Sequence, residues 1–364
     1  MISFGLTEEQ EVVREAMRDF AAQQLRPIAR ECDEASKISD AFLDQAWELG
    51  LTSTQLPESV GGGGEARSPI TNALVLEELA HGDATLAIAA VVPSLFANSI
   101  VDQGSEAQKQ ELLPLFCGPK YHAASLAVIE PSPLFDAGQL RTQAESKGDR
   151  FVLSGVKSFV PMGGRASHFL VIASRDGAPD AFVVPRDAEG LTITAGEKNL
   201  GLRALETSTL ELARVEVPAS ARLGGAAGCN VRRLLDGSRA ALASVMVGLS
   251  RAVLEYCVPY AKEREAFDEA IARKQAIAFC LAEMHMEVEA SRWLAWKAAS
   301  ELERGLDATR SAHLARSYAA EKSLWIADNG IQVLGGHGFI REHPVEMWFR
   351  NARTLGVLEG TVAL

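Results

Sequence analysis

Cysteine and positive charge are both scarce in this sequence. Its five cysteines are scattered and form no Cys-x-x-Cys pair, so the sequence encodes neither a disulfide framework nor a zinc site. This usage is typical of a reducing compartment, and we expect a cytoplasmic protein. Thirty-six Lys and Arg against 48 Asp and Glu give a formal net charge of -12, which disfavours nucleic acid and anionic membranes as partners. Any anionic ligand would therefore need a local cationic patch.

The motifs of several common enzyme classes are missing as well. The sequence has no Walker loop, no Gly-x-Gly-x-x-Gly after a strand, no His-Glu-x-x-His and no Ser-His-Asp pattern. Its seven histidines are dispersed, and we expect them, including His285 in mid-helix, to be structural rather than metal ligands. Residues 1–5 lack the basic and apolar parts of an export signal, so no targeting to export is expected.

One uncharged run, residues 84–101, approaches the length of a membrane span. Pro93 and Asn98 interrupt it, while Asp83 and Asp102 bracket it. Proline removes a backbone donor from a helix, so we expect two helix pieces buried in protein and no membrane span.

What the sequence does contain is enough apolar residues for a large core. With 364 residues, 47% hydrophobic and 23% charged, it predicts a compact protein of two or three domains. Residues 1–122 predict an N-terminal α-helical domain, which a capping-box pattern from Thr7 to Gln10 opens. Residues 123–223 hold short apolar runs between Gly, Asp and Pro, which predict a middle β domain, an antiparallel barrel or sandwich. Residues 224–364 predict a C-terminal helical bundle domain, so the fold class is α+β and mainly α.

Glycine and proline mark the expected breaks within these regions. Turn signals lie at Gly155 and at residues 163–164, 176–177 and 187–190. Pro259 is expected to kink or end the helix that contains it.

A last long helix is expected to begin at Asp307 and to end at Gly335-Gly336. Glycine there can adopt the left-handed conformation that closes a helix. The same glycines would also let backbone amides approach a phosphate, and Gln332 lies one turn earlier. Both interpretations are open for this cluster.

Two charged residues have similarly divided interpretations. Arg264, beside Phe267 and ahead of Gln275, either pairs with neighbouring glutamates or binds a diphosphate through its fork-shaped guanidinium. Glu359 is either a solvated carboxylate or a general base whose pKa partial burial raises toward neutrality.

Taken together, motifs along nearly the whole chain resemble those of the acyl-CoA dehydrogenase family. In order they are Leu6-Thr7-Glu8-Glu9-Gln10, residues 57–62, Glu77-Glu78-Leu79-Ala80, Glu130-Pro131, Gly155-x-Lys157, Leu200-Gly201-Leu202-Arg203, Val215-x-Val217-Pro218, Arg264-x-x-Phe267, residues 332–338, Pro344-Val345-Glu346, Arg350-Asn351-Ala352-Arg353 and Glu359-Gly360-Thr361. Each motif is weak alone, but the order and spacing make the set specific. The resemblance implies an N-terminal helical domain, a middle β domain and a C-terminal four-helix bundle.

The resemblance also implies a reaction, which is the FAD-dependent α,β-dehydrogenation of an acyl-CoA thioester to the trans-2-enoyl thioester. Electrons would then pass to an electron-transfer flavoprotein. Glu359 would take the α-proton while the β-hydrogen leaves as hydride to the flavin. Some relatives place the base on the helix that opens the third region, where this sequence has Ser238. Arg239, Leu358 and Gly360 are predicted to contact the substrate, which is either an acyl-CoA or an acyl-carrier thioester.

In such enzymes FAD lies across two subunits, so the resemblance implies a homotetramer or a mixed tetramer with a homologous subunit. The half that a partner's bundle donates to the diphosphate would consist of Arg264, Phe267, Gln275, Gln332, Gly335 and Gly336. The half around the flavin ring would consist of Ile129, Phe159, Pro161 and Thr361. The family's Thr-Glu-Pro begins here with Ile129, and its Trp-Ile-Thr is Phe159-Val160-Pro161, so hydroxyls expected at the ring are replaced.

Two functions follow from the resemblance. The first is a working FAD-dependent acyl-CoA dehydrogenase. The second is a non-catalytic or half-catalytic partner subunit of a heteromeric dehydrogenase, which would donate the diphosphate-binding half of a sister chain's FAD site. The presence of Glu359-Gly360-Thr361 favours the first.

Overall fold

The computed structural model describes residues 5–364 and begins with a layer of helices. Residues 1–4, part of the stretch from which we expect no export signal, lie outside the described residues. The helices are α1 (Glu8–Phe20), α2 (Ala29–Ala35), α3 (Asp40–Trp47), α4 (Pro69–Gly82), α5 (Ala84–Gln103) and α6 (Glu106–Leu112). The predicted capping box is present, because the side chains of Thr7 and Gln10 each accept a hydrogen bond from the other's backbone N–H. The helical character predicted for this part of the chain is confirmed.

A seven-stranded sheet follows the helices. Its strands are β1 (Ala124–Ala127), β2 (Gln143–Lys147), β3 (Arg150–Pro161), β4 (His168–Arg175), β5 (Ala178–Pro185), β6 (Leu191–Ala195) and β7 (Thr207–Pro218). The path β1-β4-β2-β3-β7-β6 is mostly antiparallel, and β5 pairs with β4. The predicted β structure is confirmed, with two additions: β1 and β2 each pair parallel to β4, long-range pairings that turn spacing does not reveal.

The prediction of a turn at Gly155 is wrong. Gly155 lies inside β3, where the register with β7 shifts between Leu153 and Gly155. A Cβ at this position would come within 2.6 Å of the Thr142 backbone, so glycine is required by a close approach of two chain segments. A single strand of 12 residues therefore spans what the sequence presents as two short runs.

Helices return after the sheet and form the C-terminal bundle. They are α7 (Val231–Glu263), α8 (Gln275–Glu303), α9 (Thr309–Leu334) and α10 (Val345–Leu355), and the short strands β8 (Glu265–Ala266) and β9 (Glu269–Ala270) form a hairpin between α7 and α8. The bundle seam of α8 follows the alternating four- and three-residue spacing of its apolar and small residues: Met284, Val288, Ser291, Ala295 and Ala298 are buried, and Ile277 and Leu281 at its start are partly buried. One core cluster joins residues of α1, α4 and α5 to residues of α7, α8, α9 and α10.

The prediction that Pro93 divides its segment is wrong, because α5 is one helix of 20 residues. Pro259 does not end α7, which continues to Glu263, so of its two predicted effects only the kink stays a prediction. An interior proline costs roughly 3 kcal/mol in an isolated helix, and here burial of the helix outweighs that cost. Both helices are long and apolar enough to cross a membrane by composition, yet 94% and 78% of their most apolar windows are buried inside the protein.

Candidate active site

Glu359 lies on the segment that follows α10, and this segment passes directly against β1. Gly360 has a left-handed φ of +67°, and a Cβ there would come within 2.4 Å of Val128 Cγ2. The chain can therefore make this turn over β1 only with glycine. Glu359 keeps 18% of its side chain exposed, and its Oε1 is 2.8 Å from Arg239 Nε.

The surroundings of Glu359 strengthen its affinity for a proton. Burial raises the pKa of Glu359, and the charges of Arg239 and Arg316 oppose that rise without cancelling it. Arg239 Nε lies 2.8 Å from Oε1, so the two side chains form an ion pair. A carboxylate with a raised pKa has the properties of a general base.

Arg239 connects Glu359 to two further groups. Its Nη1 is 3.1 Å from Asp236 Oδ1 and 2.8 Å from His313 Nε2. Asp236 in turn accepts a hydrogen bond from Thr309 at 2.9 Å. One guanidinium thus joins α7, the start of α9 and the segment that carries Glu359.

Arg316 fixes the backbone that leads to Glu359. Its Nη2 lies 3.1, 3.0 and 2.7 Å from the carbonyl oxygens of Leu355, Gly356 and Leu358. Burial lowers the pKa of Arg316, and the charge of Glu359 opposes that effect. Arg316 was not predicted from the sequence. A signal was present, because the small residues Ala312, Ala315 and Ala319 around it are buried in α9. An arginine within such a stripe of small residues indicates a buried cation with a specific partner.

A cavity of about 1040 Å³ opens beside Arg239. Its lining includes Asp136, Asp236, Arg239, Thr309 and His313. Of the residues predicted to contact substrate, Arg239 lines this cavity, Gly360 lies against Val128, and Leu358 is 1% exposed in the main core. Their role in substrate binding stays a prediction.

The residues predicted for the flavin ring gather where β1 ends and β3 bulges. Ile129 is half-buried, and its carbonyl accepts a hydrogen bond from Ser158 N–H at 2.8 Å. Phe159 has a left-handed φ of +54° at the second register shift of β3, and Pro161 is buried. Thr361 is 1% exposed, and its Oγ1 has no hydrogen-bond partner among the described residues. Ser238, at the alternative base position, is fully buried and supplies no carboxylate.

A buried ion pair holds the end of β1 in place next to these residues. Lys157 Nζ lies 2.9 Å from Glu130 Oε1 and 3.0 Å from the Val128 carbonyl, and the Lys157 side chain is fully buried. Glu130 also accepts hydrogen bonds from the backbone N–H groups of Arg141 and Thr142. Removing one member of such a pair costs several kcal/mol, so the pair fixes the geometry of this corner.

The residues predicted for the diphosphate form a second group. A cavity of about 440 Å³ is lined by Arg264, Phe267, Gln332, Gly335 and Gly336, together with Tyr260, Lys274 and His337. Gln275 is exposed next to Lys274, at the start of α8. Lys274 and Tyr260 were not predicted, and nothing in the spacing of the sequence marks them.

The two groups lie far apart within one chain. Arg316, beside Glu359, and Gln332, at the diphosphate group, are both on α9 and are separated by about 24 Å at 1.5 Å per residue. One chain therefore presents the two groups at well-separated positions along its bundle.

Helices on both sides of a β domain, with a mostly buried carboxylate on the segment after α10, match the architecture that the motifs predict. Three family models match this chain: the acyl-CoA dehydrogenase N-terminal domain over residues 7–118, the middle domain over 125–215 and the C-terminal domain over 229–364. The chain belongs to the acyl-CoA dehydrogenase family, a family of FAD-dependent oxidoreductases.

Relatives of known name match over almost the whole chain. The chain is 36% identical to a probable acyl-CoA dehydrogenase, YngJ, of Bacillus subtilis, over 99% of this chain and 96% of that protein. It is 34% identical to the mitochondrial short-chain specific acyl-CoA dehydrogenase of Bos taurus, over 99% of this chain and 88% of that protein.

Solved structures agree with the fold. Butyryl-CoA dehydrogenase of Megasphaera elsdenii matches with a TM-score of 0.89 and 30% identity, over 99% of this chain and 96% of that one. A structure described as the electron transferring flavoprotein of Acidaminococcus fermentans matches with a TM-score of 0.89 and 29% identity, over 99% and 96%. A glutaryl-CoA dehydrogenase of Mycobacterium smegmatis in complex with FADH2 matches with a TM-score of 0.86 and 26% identity, over 98% and 92%.

Proposed function

We propose that this protein dehydrogenates an acyl-CoA thioester across its α,β bond, with FAD as hydride acceptor and an electron-transfer flavoprotein as the next electron carrier. The observation that carries the proposal is Glu359, a mostly buried carboxylate with a raised pKa, whose ion-pair partner Arg239 lines a large cavity. A solvated carboxylate at the end of a chain would be too weak a base for this work, because its pKa would lie far below neutrality.

In the proposed mechanism Glu359 removes the α-proton of the bound thioester. That proton is weakly acidic, so the negative charge that develops on the carbonyl oxygen needs donors fixed in advance. The backbone N–H of Glu359 is the proposed donor from this chain. Arg316 keeps that backbone in register through the carbonyls of Leu355, Gly356 and Leu358. Binding of the substrate in the cavity beside Arg239 would exclude water from Glu359.

FAD would supply the acceptor for the β-hydrogen, and the residues of this chain suit it. Around the diphosphate group, Arg264 and Lys274 bring positive charge, and a Cβ built on Gly335 or Gly336 would meet no atom within 4 Å, which leaves room for a ligand against the backbone. At the ring, the orphaned Oγ1 of Thr361 is an available hydrogen-bonding atom where Pro161 has no N–H. Since the two groups lie about 24 Å apart along α9, a complete site would combine Thr361 of one copy with Arg264 of another.

The name of each relative supports one part of the proposal. Short-chain specific and butyryl-CoA dehydrogenases favour a short acyl-CoA substrate, and the complex with FADH2 favours the cofactor. The electron transferring flavoprotein structure favours the electron carrier. The partner-subunit alternative needs only the diphosphate group and gives Glu359 no role, so the surroundings of Glu359 favour the enzyme.

The first testable prediction concerns Glu359→Gln. The amide cannot accept the α-proton, so we expect butyryl-CoA turnover to fall by at least 10³-fold while the flavin absorbance per chain stays unchanged. Turnover is measured with an artificial electron acceptor, and the exposed Glu189→Gln serves as the matched control. Unchanged turnover in Glu359→Gln would remove this residue as the base. A colourless wild type that gains FAD only when a homologous subunit is co-expressed would favour the partner-subunit alternative.

A further inference from the structure

The contact between Arg239 and His313 fixes the protonation state of the histidine. Arg239 Nη1 and His313 Nε2 are 2.8 Å apart. A guanidinium remains charged at all ordinary pH values and can only donate hydrogen bonds, so Nε2 must be the acceptor. The imidazole is therefore neutral in this arrangement, with its proton on Nδ1.

The charged groups around His313 come from three parts of the fold. Arg239 and Asp236 face it from α7, and Asp136 faces it from the segment between β1 and β2. Asp307, just ahead of α9, lines the same cavity. Burial, and next to it the charge of Arg239, lower the pKa of His313, while the two aspartates Asp236 and Asp136 oppose that effect.

A proton on His313 would break the contact. Imidazolium has no lone pair at Nε2 and would repel the guanidinium at 2.8 Å, so Arg239 would have to move. Arg239 cannot move alone, because its Nε is 2.8 Å from Glu359 Oε1 on its other edge. His313 is exposed to solvent and can exchange protons readily, whereas Glu359 is mostly buried.

We infer that His313 is a positioning residue for the reaction: its neutral imidazole holds Arg239, and through Arg239 it holds Glu359 in the place from which the α-proton is taken. The inference rests on the proposed function. It predicts that two groups, His313 and Glu359, lose activity by protonation as the pH falls, because both must be deprotonated in the active arrangement. His313 also lines the cavity that would bind the substrate, so a positive charge on His313 would act directly on the substrate-binding site.

The test compares three variants across pH. His313→Gln keeps an acceptor, the amide oxygen, but cannot gain a proton. We expect its kcat/KM for butyryl-CoA at pH 8 to stay within about threefold of wild type. Below the pH optimum, we expect a plot of log kcat/KM against pH to have a slope of about one for His313→Gln and of about two for wild type. His313→Lys places a permanent charge beside Arg239, and we expect kcat/KM to fall by about tenfold or more at every pH. Glu189→Gln is the control for a surface change.

A second measurement does not depend on turnover. A thioether analogue of butyryl-CoA, which cannot be dehydrogenated, is titrated into the holoenzyme by calorimetry between pH 5 and 8. We expect the affinity of wild type to carry a proton-linked change that His313→Gln lacks.

The outcomes separate this inference from the proposed function. Identical acid sides of the pH profile in wild type and His313→Gln would overturn the inference alone. A raised KM of His313→Gln at pH 8 with an unchanged pH profile would also overturn it, because His313 would then be a direct substrate contact. No turnover by wild type at any pH overturns the proposed function and the inference with it. Should His313→Lys fail to fold, the comparison with His313→Gln decides the matter by itself.

Discussion

At the scale of single residues, the chemistry depends on how much water reaches one carboxylate. Glu359 would be an ordinary acid if it were solvated, but the turn at Gly360 presses its segment onto β1 and withdraws it from solvent. Burial then raises its pKa, and Arg239 limits the rise. The property that matters for catalysis therefore depends on a glycine, which has no side chain that could react.

This dependence makes Gly360→Ala a sensitive probe. The new Cβ would sit 2.4 Å from Val128 Cγ2 on a backbone with φ of +67°, so both a clash and backbone strain oppose it. We expect a loss of about 2–4 kcal/mol in the free energy of unfolding and a loss of butyryl-CoA turnover larger than the loss of folded protein explains.

Gly177→Ala is the matched control for that experiment. Gly177 also has a positive φ, +83°, but a Cβ there would meet no atom within 4 Å. It isolates the backbone cost, about 1 kcal/mol, from the clash. Denaturant unfolding and turnover are measured on both variants, and equal losses in the two would contradict the role given to the contact with Val128.

At the scale of secondary-structure elements, the N-terminal helices are tied to the bundle by a buried ion cluster. Glu78 on α4 receives Arg18 from α1 at 3.1 Å and Arg251 from α7 at 2.6 Å. Although burial by itself would raise it, these two arginines lower the pKa of Glu78 to about 2. The Glu77-Glu78 pair, which the sequence presents only as a family motif, thus has a structural purpose at a three-helix junction.

The cluster predicts how stability responds to acid. The folded-state pKa of Glu78 lies below its unfolded value of 4.5, so its contribution is complete above about pH 4.5 and is lost as the pH falls toward about 2. The shift corresponds to an upper bound on the order of 3 kcal/mol. We expect Glu78→Gln to be less stable than wild type at pH 7 and to lose less stability between pH 4.5 and 2.

Denaturant unfolding at a series of pH values checks this expectation. Glu189→Gln, at an exposed position, should follow the wild-type curve. Parallel curves for wild type and Glu78→Gln would mean that Glu78 is not the group that couples these helices to pH.

At the scale of the whole molecule, the two groups of site residues are marked on α9 by Arg316 and Gln332, about 24 Å apart at 1.5 Å per residue. Glu359 and Thr361 lie with Arg316, and Gly335 lies with Gln332. Under the proposed function, each site then needs two copies of the chain. The unit of activity would be an assembly rather than a single chain.

Complementation between two inactive variants tests this assembly. Glu359→Gln removes the base and Arg264→Gln weakens the diphosphate group, so each homo-oligomer should turn over little substrate. In a mixed oligomer, one site can pair an intact Glu359 with an intact Arg264, so unfolding the two variants and refolding them together at equal amounts should restore about a quarter of wild-type activity. Separate refolding followed by mixing at low temperature, where subunits do not exchange, is the control. Activity no higher than the sum of the two variants would place both groups in one chain's own site.

Sequence patterns predicted the secondary-structure elements more completely than they predicted the candidate active site. The capping box at Thr7, the strands of the β domain and the α8 seam follow from local spacing, because helix and strand periods are properties of neighbouring residues. The errors at Gly155 and Pro93 share one cause: each prediction assumed a local break where contacts with distant residues keep the element continuous.

The helix–sheet–helix order, the residue types available for chemistry and the family could all be predicted from the amino-acid sequence. The contact of Glu359 with Arg239, and the contacts of His313 and Arg316 around them, could be found only in the folded chain, because these residues come from segments separated by 43 or more positions. Burial and charge depend on what surrounds a side chain in space. Spacing along the chain carries no measure of either, so the basicity of Glu359 became visible only after the fold had brought these groups together.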